Sequence, residues 1–178
     1  MNIEKLKENI CDQILEAQLK LGYARETIRL YFPLNSLNRI LETGETDAGS
    51  LCLRLTQALQ AFPELGTVEC SHRGDRIGIS VPPEGTAYVH EKIPASDFLR
   101  DLIRLFAEEA HCSPEQIEAV FRKASPDYIL TTMPEGAEFD WAIHFADPAV
   151  DPYYYCFRME MGHTIYHRFL EADYRELL

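Results

Sequence analysis

The chain has 178 residues, of which 46% are hydrophobic and 26% charged, and its formal net charge is −12 at neutral pH. This composition is typical of a folded protein, and the length suits one domain with a buried core. The surplus of acids argues against nucleic-acid binding, because phosphates would be repelled. No apolar run approaches the ~18 residues of a membrane span, and no apolar signal core follows Met1, so we expect a cytoplasmic protein that does not bind a membrane.

The charge is unevenly distributed along the chain. Residues 1–66 contain nine acids and seven bases, a difference of −2, whereas residues 67–178 contain twenty acids and ten bases, a difference of −10. No Lys or Arg occurs between Lys123 and Arg158. The five cysteines lack Cys-x-x-Cys spacing, which argues against a disulfide framework and a structural zinc site. We therefore expect no cofactor, and Cys156 is the thiol to test for reactivity.

The N-terminal third is predicted to be helical. Apolar residues recur every three or four positions over Ile3–Leu21, and Gly22 is a natural end for that helix. Tyr23–Phe32 is interpreted as a second apolar helical face, closed by Pro33. Two further helices follow, over Leu34–Leu41 and from Thr46 or Asp47 to Phe62.

In the middle of the chain the pattern changes to a period of two. Thr67–Arg73 and Arg76–Val81 flank a two-residue turn, Gly74-Asp75, and predict a β-hairpin. Thr86–Ile93 is predicted to add a third antiparallel strand. The economical interpretation is a three-stranded meander.

Two central helices are predicted next. The first begins at Ser96 or Asp97. The second has a strong start, because Ser113 and Gln116 form a capping box around Pro114 in the first helical position. The rest is predicted as strands and a final helix, over Tyr128–Met133, Phe139–Phe145, Tyr153–Met161, Gly162–His167 and, for the helix, Leu170–Leu178.

Together these elements predict an α+β fold, with an antiparallel sheet of about six to seven strands, an N-terminal helical layer and two central helices. No linker rich in Gly or Ser divides the chain. We therefore expect a single domain over residues 1–178, with a helical part in 1–66 and a mixed sheet and helix part in 67–178.

The last strands carry the one constellation of potentially reactive side chains. Successive side chains of a strand point to opposite faces, so the aromatic residues that alternate from Phe139 to Phe145 share one face and the polar residues the other. The polar face is a candidate pocket of Asp140, His144, Tyr154, Arg158 and Glu160. Either His144 is tuned there as an acid-base group or ligand, or the face holds an ordinary ion pair.

The ion pair depends on the register of the two strands. A symmetric hairpin sets Phe145 opposite Tyr153, and therefore His144 opposite Tyr154. The same register sets Asp140 opposite Arg158, which predicts a cross-strand ion pair. A slip of one residue would turn the polar face into the core.

His163 and His167 form a second, weaker constellation. They are four residues apart and share a face on a strand or a helix, so that with Glu160 or Glu171 they are candidate ligands for a divalent metal. The pattern is not His-Glu-x-x-His, because Thr164 follows His163. Two histidines in an aromatic-rich strand are more often packed and hydrogen-bonded than bound to metal.

Two parts of the chain resemble a known family. Gly22–Pro33, and Tyr153–Phe157 together with Gly162–Phe169, are similar to an uncharacterised family from anaerobic gut bacteria. The resemblance spans nearly the whole chain. It implies no established activity, substrate or catalytic residue.

The biochemical function is therefore unknown at this stage, and three hypotheses stay open. The first is a non-catalytic binding or interaction module for a protein or peptide partner, or a homodimer. The second is a small enzyme, metal-dependent or based on His and carboxylate groups of the polar face. The third is a sensor of small ligands that bind in the concave face of the sheet.

Overall fold

The computed structural model describes residues 1–178 and shows an α+β protein with seven α-helices and seven strands. The chain divides into two compact units, Met1–Ala95 and Ser96–Leu178. The strands form two antiparallel sheets, of three and four strands. The α+β class is confirmed, whereas the single sheet of six to seven strands is wrong. That the chain folds as one domain stays a prediction.

The N-terminal unit contains four helices, three strands and two short 3-10 turns. The helices are α1 (Ile3–Leu21), α2 (Leu34–Leu41), α3 (Ala48–Ala58) and α4 (Pro83–Lys92). The strands are β1 (Ile28–Pro33), β2 (Glu69–Arg73) and β3 (Arg76–Val81), and the 3-10 turns are Leu59–Ala61 and Pro63–Leu65. Of the two predicted caps, Thr46 and Asp47, it is Asp47 that caps α3, since its side chain accepts hydrogen bonds from the Gly49 and Ser50 amides.

β1 lies in the segment interpreted as a helix, Tyr23–Phe32. Leu30 and Phe32 are buried, whereas Arg29 and Tyr31 are exposed. This alternation has a period of two, and β-branched and aromatic residues favour strands. The helical interpretation is wrong because apolar residues three and four positions apart also occur by chance in so short a segment.

α4 replaces the third strand predicted over Thr86–Ile93. Pro83 occupies the first turn, where its fixed φ suits a helix and no amide is needed. The helix lies close to the preceding 3-10 turn, since a Cβ on Gly85 would be 2.4 Å from the Leu65 carbonyl oxygen. The strand prediction is wrong because the proline turn signal is also a helix start.

The sheet of this unit has the order β1-β3-β2. The predicted hairpin is confirmed, with Arg73 opposite Arg76 and Gly74 at a φ of 59° in the turn. β3 pairs with β1 on its other side, which explains why the hairpin joins the N-terminal unit. The buried face of the sheet carries Leu30, Phe32, Ile77, Ile79 and Val81.

The C-terminal unit contains three helices and the four-stranded sheet, in the order β4-β5-β6-β7. The helices are α5 (Asp97–Glu108), α6 (Pro114–Ala124) and α7 (Glu171–Arg175), and the strands are β4 (Tyr128–Thr132), β5 (Trp141–Phe145), β6 (Tyr153–Glu160) and β7 (His163–Leu170). The capping box of Ser113 and Gln116 is confirmed at the start of α6. No helix of the structure is both long enough and apolar enough to cross a membrane.

Aromatic rings from α5, α6 and the sheet form the core of this unit. The Phe98 ring of α5 meets Phe121 of α6 and Phe145 of β5 edge to face, with centroids 4.8 Å and 5.0 Å away. The opposite face of the sheet carries a smaller apolar cluster, named here the α7 cluster, which consists of Met133, Phe139, Ala142, Cys156 and Tyr174. Both faces are therefore at least partly covered, so the predicted polar face is also a packing face.

Candidate functional site

The predicted register of β5 and β6 is confirmed. Ala142 lies opposite Cys156, and Ile143 lies opposite Tyr155. In this register His144 and Tyr154 are neighbours, and their rings stack with centroids 4.0 Å apart. Two members of the predicted polar face are therefore in direct contact.

The regular pairing ends at Asp140, where β5 begins with a β-bulge. The Asp140 amide donates to the Phe157 carbonyl oxygen over 2.9 Å, although Phe157 is already the partner of Trp141. Two consecutive residues thus face one residue of β6. The bulge also explains why Phe139 packs in the α7 cluster, so the prediction that it shares the face of Trp141 is wrong.

The predicted ion pair between Asp140 and Arg158 is wrong, because the bulge interrupts the register on which it depended. Arg158 instead binds Glu138 and Glu160, each with an N–O distance of 2.9 Å. Its guanidinium also lies 5.4 Å from the centroid of the Phe139 ring. Since these carboxylates are half exposed, each pair contributes at most about 1 kcal/mol.

The structure divides the predicted polar face into two groups. His144 and Tyr154 lie at one end of the β5–β6 pair, and the other group begins at Arg158, four residues further along β6, with Glu160 beyond it. At a rise of roughly 3.3 Å per residue, the two groups are about 13 Å apart. Asp140 is exposed at the bulge. That this face binds a ligand stays a prediction.

His144 is held in an aromatic stack. Burial lowers the pKa of its imidazole, and the Glu171 carboxylate opposes that effect. Burial also raises the pKa of the Tyr154 hydroxyl, with Glu171 adding to the shift. Tyr154 stacks in turn on Tyr174, with centroids 4.5 Å apart. At neutral pH His144 is therefore a neutral imidazole in a packed stack.

His163 and His167 lie exposed on one face of β7. Four residues of strand separate them by about 13 Å, whereas metal-bound nitrogens lie within about 2.1 Å of the same ion. His163 faces Glu160 across the hairpin, while the His167 ring lies 5.6 Å from that of Phe139. The structure does not bring the two histidines together, and no group of three or more His, Cys, Asp or Glu residues is placed to hold a metal ion.

The cysteines are all free thiols. Cys156 is completely buried, and burial raises its pKa to about 12. Because the thiolate is the reactive form, a protonated and inaccessible thiol is a poor nucleophile. Cys156 is a packing residue of the α7 cluster.

A surface not identified from the sequence lies at the free edge of the four-stranded sheet. The Ala146 amide donates to the Asp127 carbonyl, and the Met133 amide donates to the Asp140 carbonyl, both over 3.0 Å. In an antiparallel ladder, residues that bond to the neighbouring strand alternate with residues that do not. The odd-numbered residues 127–133 therefore direct their backbone groups toward β5.

The even-numbered residues of β4 direct their backbone N–H and C=O groups away from the sheet. The outward N–H and C=O groups belong to Tyr128, Leu130 and Thr132, and none of them has a hydrogen-bond partner within the chain. We name this row of groups the open edge. It repeats every second residue, which is the spacing that a further strand would match.

Two large apolar side chains of β4 are exposed beside the open edge, and acidic residues occur beyond the ends of the strand. Ile129 is 48% exposed and Leu130 39% exposed. β4 has no charged residue and no proline. Asp127 precedes β4 in the chain, and Glu135 and Glu138 follow it. Asp140 and Asp147 lie just outside the two ends of its partner strand, β5.

The other three edge strands carry features that oppose further pairing. β1 has a charged Arg29 and ends in Pro33, which has no amide. β2 has Glu69 and Arg73. On β7 the Thr164 amide already donates to the Ala110 carbonyl oxygen over 2.8 Å. Natural sheets block their edges with such charges, prolines and covering loops, so β4 is the exception.

The fold and the open edge define an α+β protein that presents an unpaired strand, with acidic residues before and after it in the chain. The chain belongs to the family described as "Domain of unknown function, E. rectale Gene description (DUF3877)", whose model matches residues 3–178. The resemblance to an uncharacterised family of gut bacteria is thereby confirmed. No curated protein and no solved structure matches the chain.

Proposed function

We propose that the protein is a non-catalytic binding module, and that β4 accepts an extended, basic segment of a partner protein as a fifth strand of the sheet. The observation that carries this proposal is the open edge, with its three outward amides and three outward carbonyl groups. Addition of a strand to an exposed sheet edge is a common mode of peptide recognition. The five free thiols fit a reducing compartment, so we place this binding in the cytoplasm.

Backbone hydrogen bonds would supply affinity at the open edge, and side chains would supply selectivity. Six new hydrogen bonds, each contributing about 0.5–1.5 kcal/mol net, would offset the cost of ordering an extended segment. Ile129 and Leu130 are consecutive, so they point to opposite faces of the sheet. A bound strand would therefore cover one exposed apolar side chain on each face.

The charge around β4 selects the kind of partner. Asp127, Glu135, Asp140 and Asp147 form no ion pair within the chain. No Lys or Arg lies between Lys123 and Arg158 in the sequence, and the basic side chain that contacts β4 is Arg122, which donates to the Tyr128 hydroxyl over 3.1 Å. A segment with Lys or Arg residues would complement these acids and would be attracted to them at low salt. A second copy pairing through β4 would bring the same acids together, which disfavours a homodimer at this edge.

The test is a fluorescence-anisotropy titration with labelled eight-residue peptides. One peptide alternates Lys with Val or Thr, a second replaces each Lys by Glu, and a third carries a central proline. We expect saturable binding of the Lys peptide, weakened by salt, and no binding of the other two. Equal binding of the Lys and Glu peptides would contradict the proposal.

Ile129→Lys is the matching variant, because it adds a positive charge at the open edge as natural sheets do. We expect it to lose binding of the Lys peptide. Leu53→Lys is the control, since Leu53 is 72% exposed on α3 and lies outside the sheet of β4. A concentration-dependent dimer that Ile129→Lys dissociates would overturn the proposal in favour of self-association.

A further inference from the structure

We propose that the outer face of the three-stranded sheet binds a small phosphorylated ligand that carries a planar ring. The site is a groove of about 400 Å³, lined by Tyr31, Ser71, His72, Arg73, Arg76 and Gly78. Its volume falls within the ~300–1,000 Å³ of small-molecule sites. We name it the arginine groove. It lies in the N-terminal unit and does not depend on the open edge of β4.

Two arginines at the end of the β2–β3 hairpin give the groove its charge. Arg73 and Arg76 are directly opposite each other in the antiparallel register. Like charges in this position destabilise a strand pair. Neither guanidinium is ion-paired with a carboxylate, although the chain has 29 acids for 17 bases. The fold therefore keeps two arginines without an ion pair side by side in an acidic protein.

A phosphate group is the anion that this arrangement fits. Guanidinium groups donate paired hydrogen bonds to phosphate oxygens, and two of them can share a dianion. The bound anion would remove the repulsion between Arg73 and Arg76. The Ser71 hydroxyl lies on the same face, since a Cβ at position 78 would be 3.1 Å from it, and it supplies a further hydrogen-bonding group.

Tyr31 supplies a surface for a planar ring beside these cations. It lies opposite Gly78, and a Cβ at position 78 would be 3.3 Å from the Tyr31 ring. The glycine thus lets the tyrosine ring lie close against the sheet. Tyr31 is 53% exposed, and the Arg76 guanidinium lies 5.7 Å from the centroid of its ring. A ligand with a ring next to its phosphate would contact Tyr31 and the arginines together.

The test is isothermal titration calorimetry at low salt with three probes. Phenyl phosphate offers both groups, inorganic phosphate only the anion, and phenol only the ring. We expect phenyl phosphate to bind most tightly, inorganic phosphate more weakly, and phenol not at all. Arg73→Gln and Arg76→Gln should each weaken phenyl phosphate binding by about tenfold or more, because each removes a charge-assisted pair of hydrogen bonds.

Tyr31→Leu tests the contribution of the ring contact to binding separately from that of the anion contact. We expect this variant to bind phenyl phosphate no more tightly than inorganic phosphate, while inorganic phosphate binding is unchanged. If Tyr31→Leu keeps the full preference for phenyl phosphate, the assignment of the ring site is wrong.

Arg29→Gln is the charge-matched control. Arg29 lies on the same face of the sheet but outside the groove, where its Nε donates to the Ser80 hydroxyl over 3.1 Å. We expect it to bind phenyl phosphate as the native chain does. No saturable binding of phenyl phosphate, or equal losses in Arg29→Gln and Arg73→Gln, would overturn the proposal. Ile129→Lys should bind phenyl phosphate normally, so a failure of the open edge and a failure of the groove are distinguishable.

Discussion

The two edges of the four-stranded sheet differ in whether another part of the chain binds their outward backbone groups. At the β7 edge Thr164 is buried, its amide donates to the Ala110 carbonyl, and its hydroxyl accepts a hydrogen bond from the Cys112 amide over 3.0 Å. At the β4 edge Thr132 is exposed, and its outward amide has no partner. The same residue type thus has a bonded outward amide at one edge and an outward amide without a partner at the other.

This difference shows that the chain can cover a sheet edge with its own backbone. The loop between α5 and α6 reaches β7 and occupies the first outward position of that strand. Nothing comparable occupies the outward positions of β4, nor does the strand carry the charges that block edges elsewhere. An unprotected apolar edge is a liability unless a partner uses it, and for that reason we interpret it as functional.

The largest expected effect comes from Thr131→Pro. Thr131 faces Ala142 and directs its amide toward β5, so proline there removes a ladder hydrogen bond and leaves a carbonyl group unpaired. We expect the free energy of unfolding to fall by about 3 kcal/mol. Urea unfolding measures the change.

Thr132→Pro is the matched substitution one residue later. The Thr132 amide points outward, so proline removes no bond within the sheet and should change the free energy of unfolding by less than about 0.5 kcal/mol. It should nevertheless weaken binding of the Lys peptide. If both proline variants lose the same stability, the assignment of inward and outward amides is wrong.

A smaller effect is expected at the closed edge from Thr164→Val. The substitution keeps the shape of the side chain but removes the hydroxyl that accepts from the Cys112 amide, which is left buried without a partner. We expect a loss of about 1–2 kcal/mol in the free energy of unfolding. Thr132→Val at the open edge is the control and should leave stability within about 0.5 kcal/mol. Equal changes in both variants would show that the edges do not differ.

The smallest effect concerns pH. His144 pairs with Ile129 of β4, and burial lowers the pKa of its imidazole from 6.5. The unfolded chain therefore takes up the proton at a higher pH than the folded chain, so stability falls as the pH drops below about 6.5. His144→Phe keeps a ring on Tyr154 and should reduce this slope in unfolding measurements between about pH 7.5 and 5.5. An unchanged slope would show that His144 does not contribute to it.

Local signals in the sequence predicted the elements that depend on neighbouring residues. The capping box at Ser113 and Gln116, the hairpin turn at Gly74-Asp75 and the register of β5 with β6 all follow from spacing over a few residues. These features are fixed by short-range geometry and by the alternation of apolar side chains.

Features that depend on distant partners were not predictable in the same way. The bulge at Asp140 inserts one residue and removes the predicted partner of Arg158, and no residue type marks it. The apolar run in β4 is visible in the sequence, but its place at the edge depends on the order of the strands. The Arg73–Arg76 pair could have been noticed as two like charges across a predicted turn, whereas the nearness of Tyr31 required β1 to be a strand.

Amide hydrogen exchange along β4 tests the open edge most directly. In the free protein we expect slow exchange at residues 129 and 131, whose amides bond to β5, and fast exchange at residues 128, 130 and 132. Saturation with the Lys peptide should slow exchange at the three even-numbered residues and leave the odd-numbered ones unchanged. Even-numbered amides that are already protected in the free protein, or that stay fast with the peptide bound, would contradict strand addition at β4.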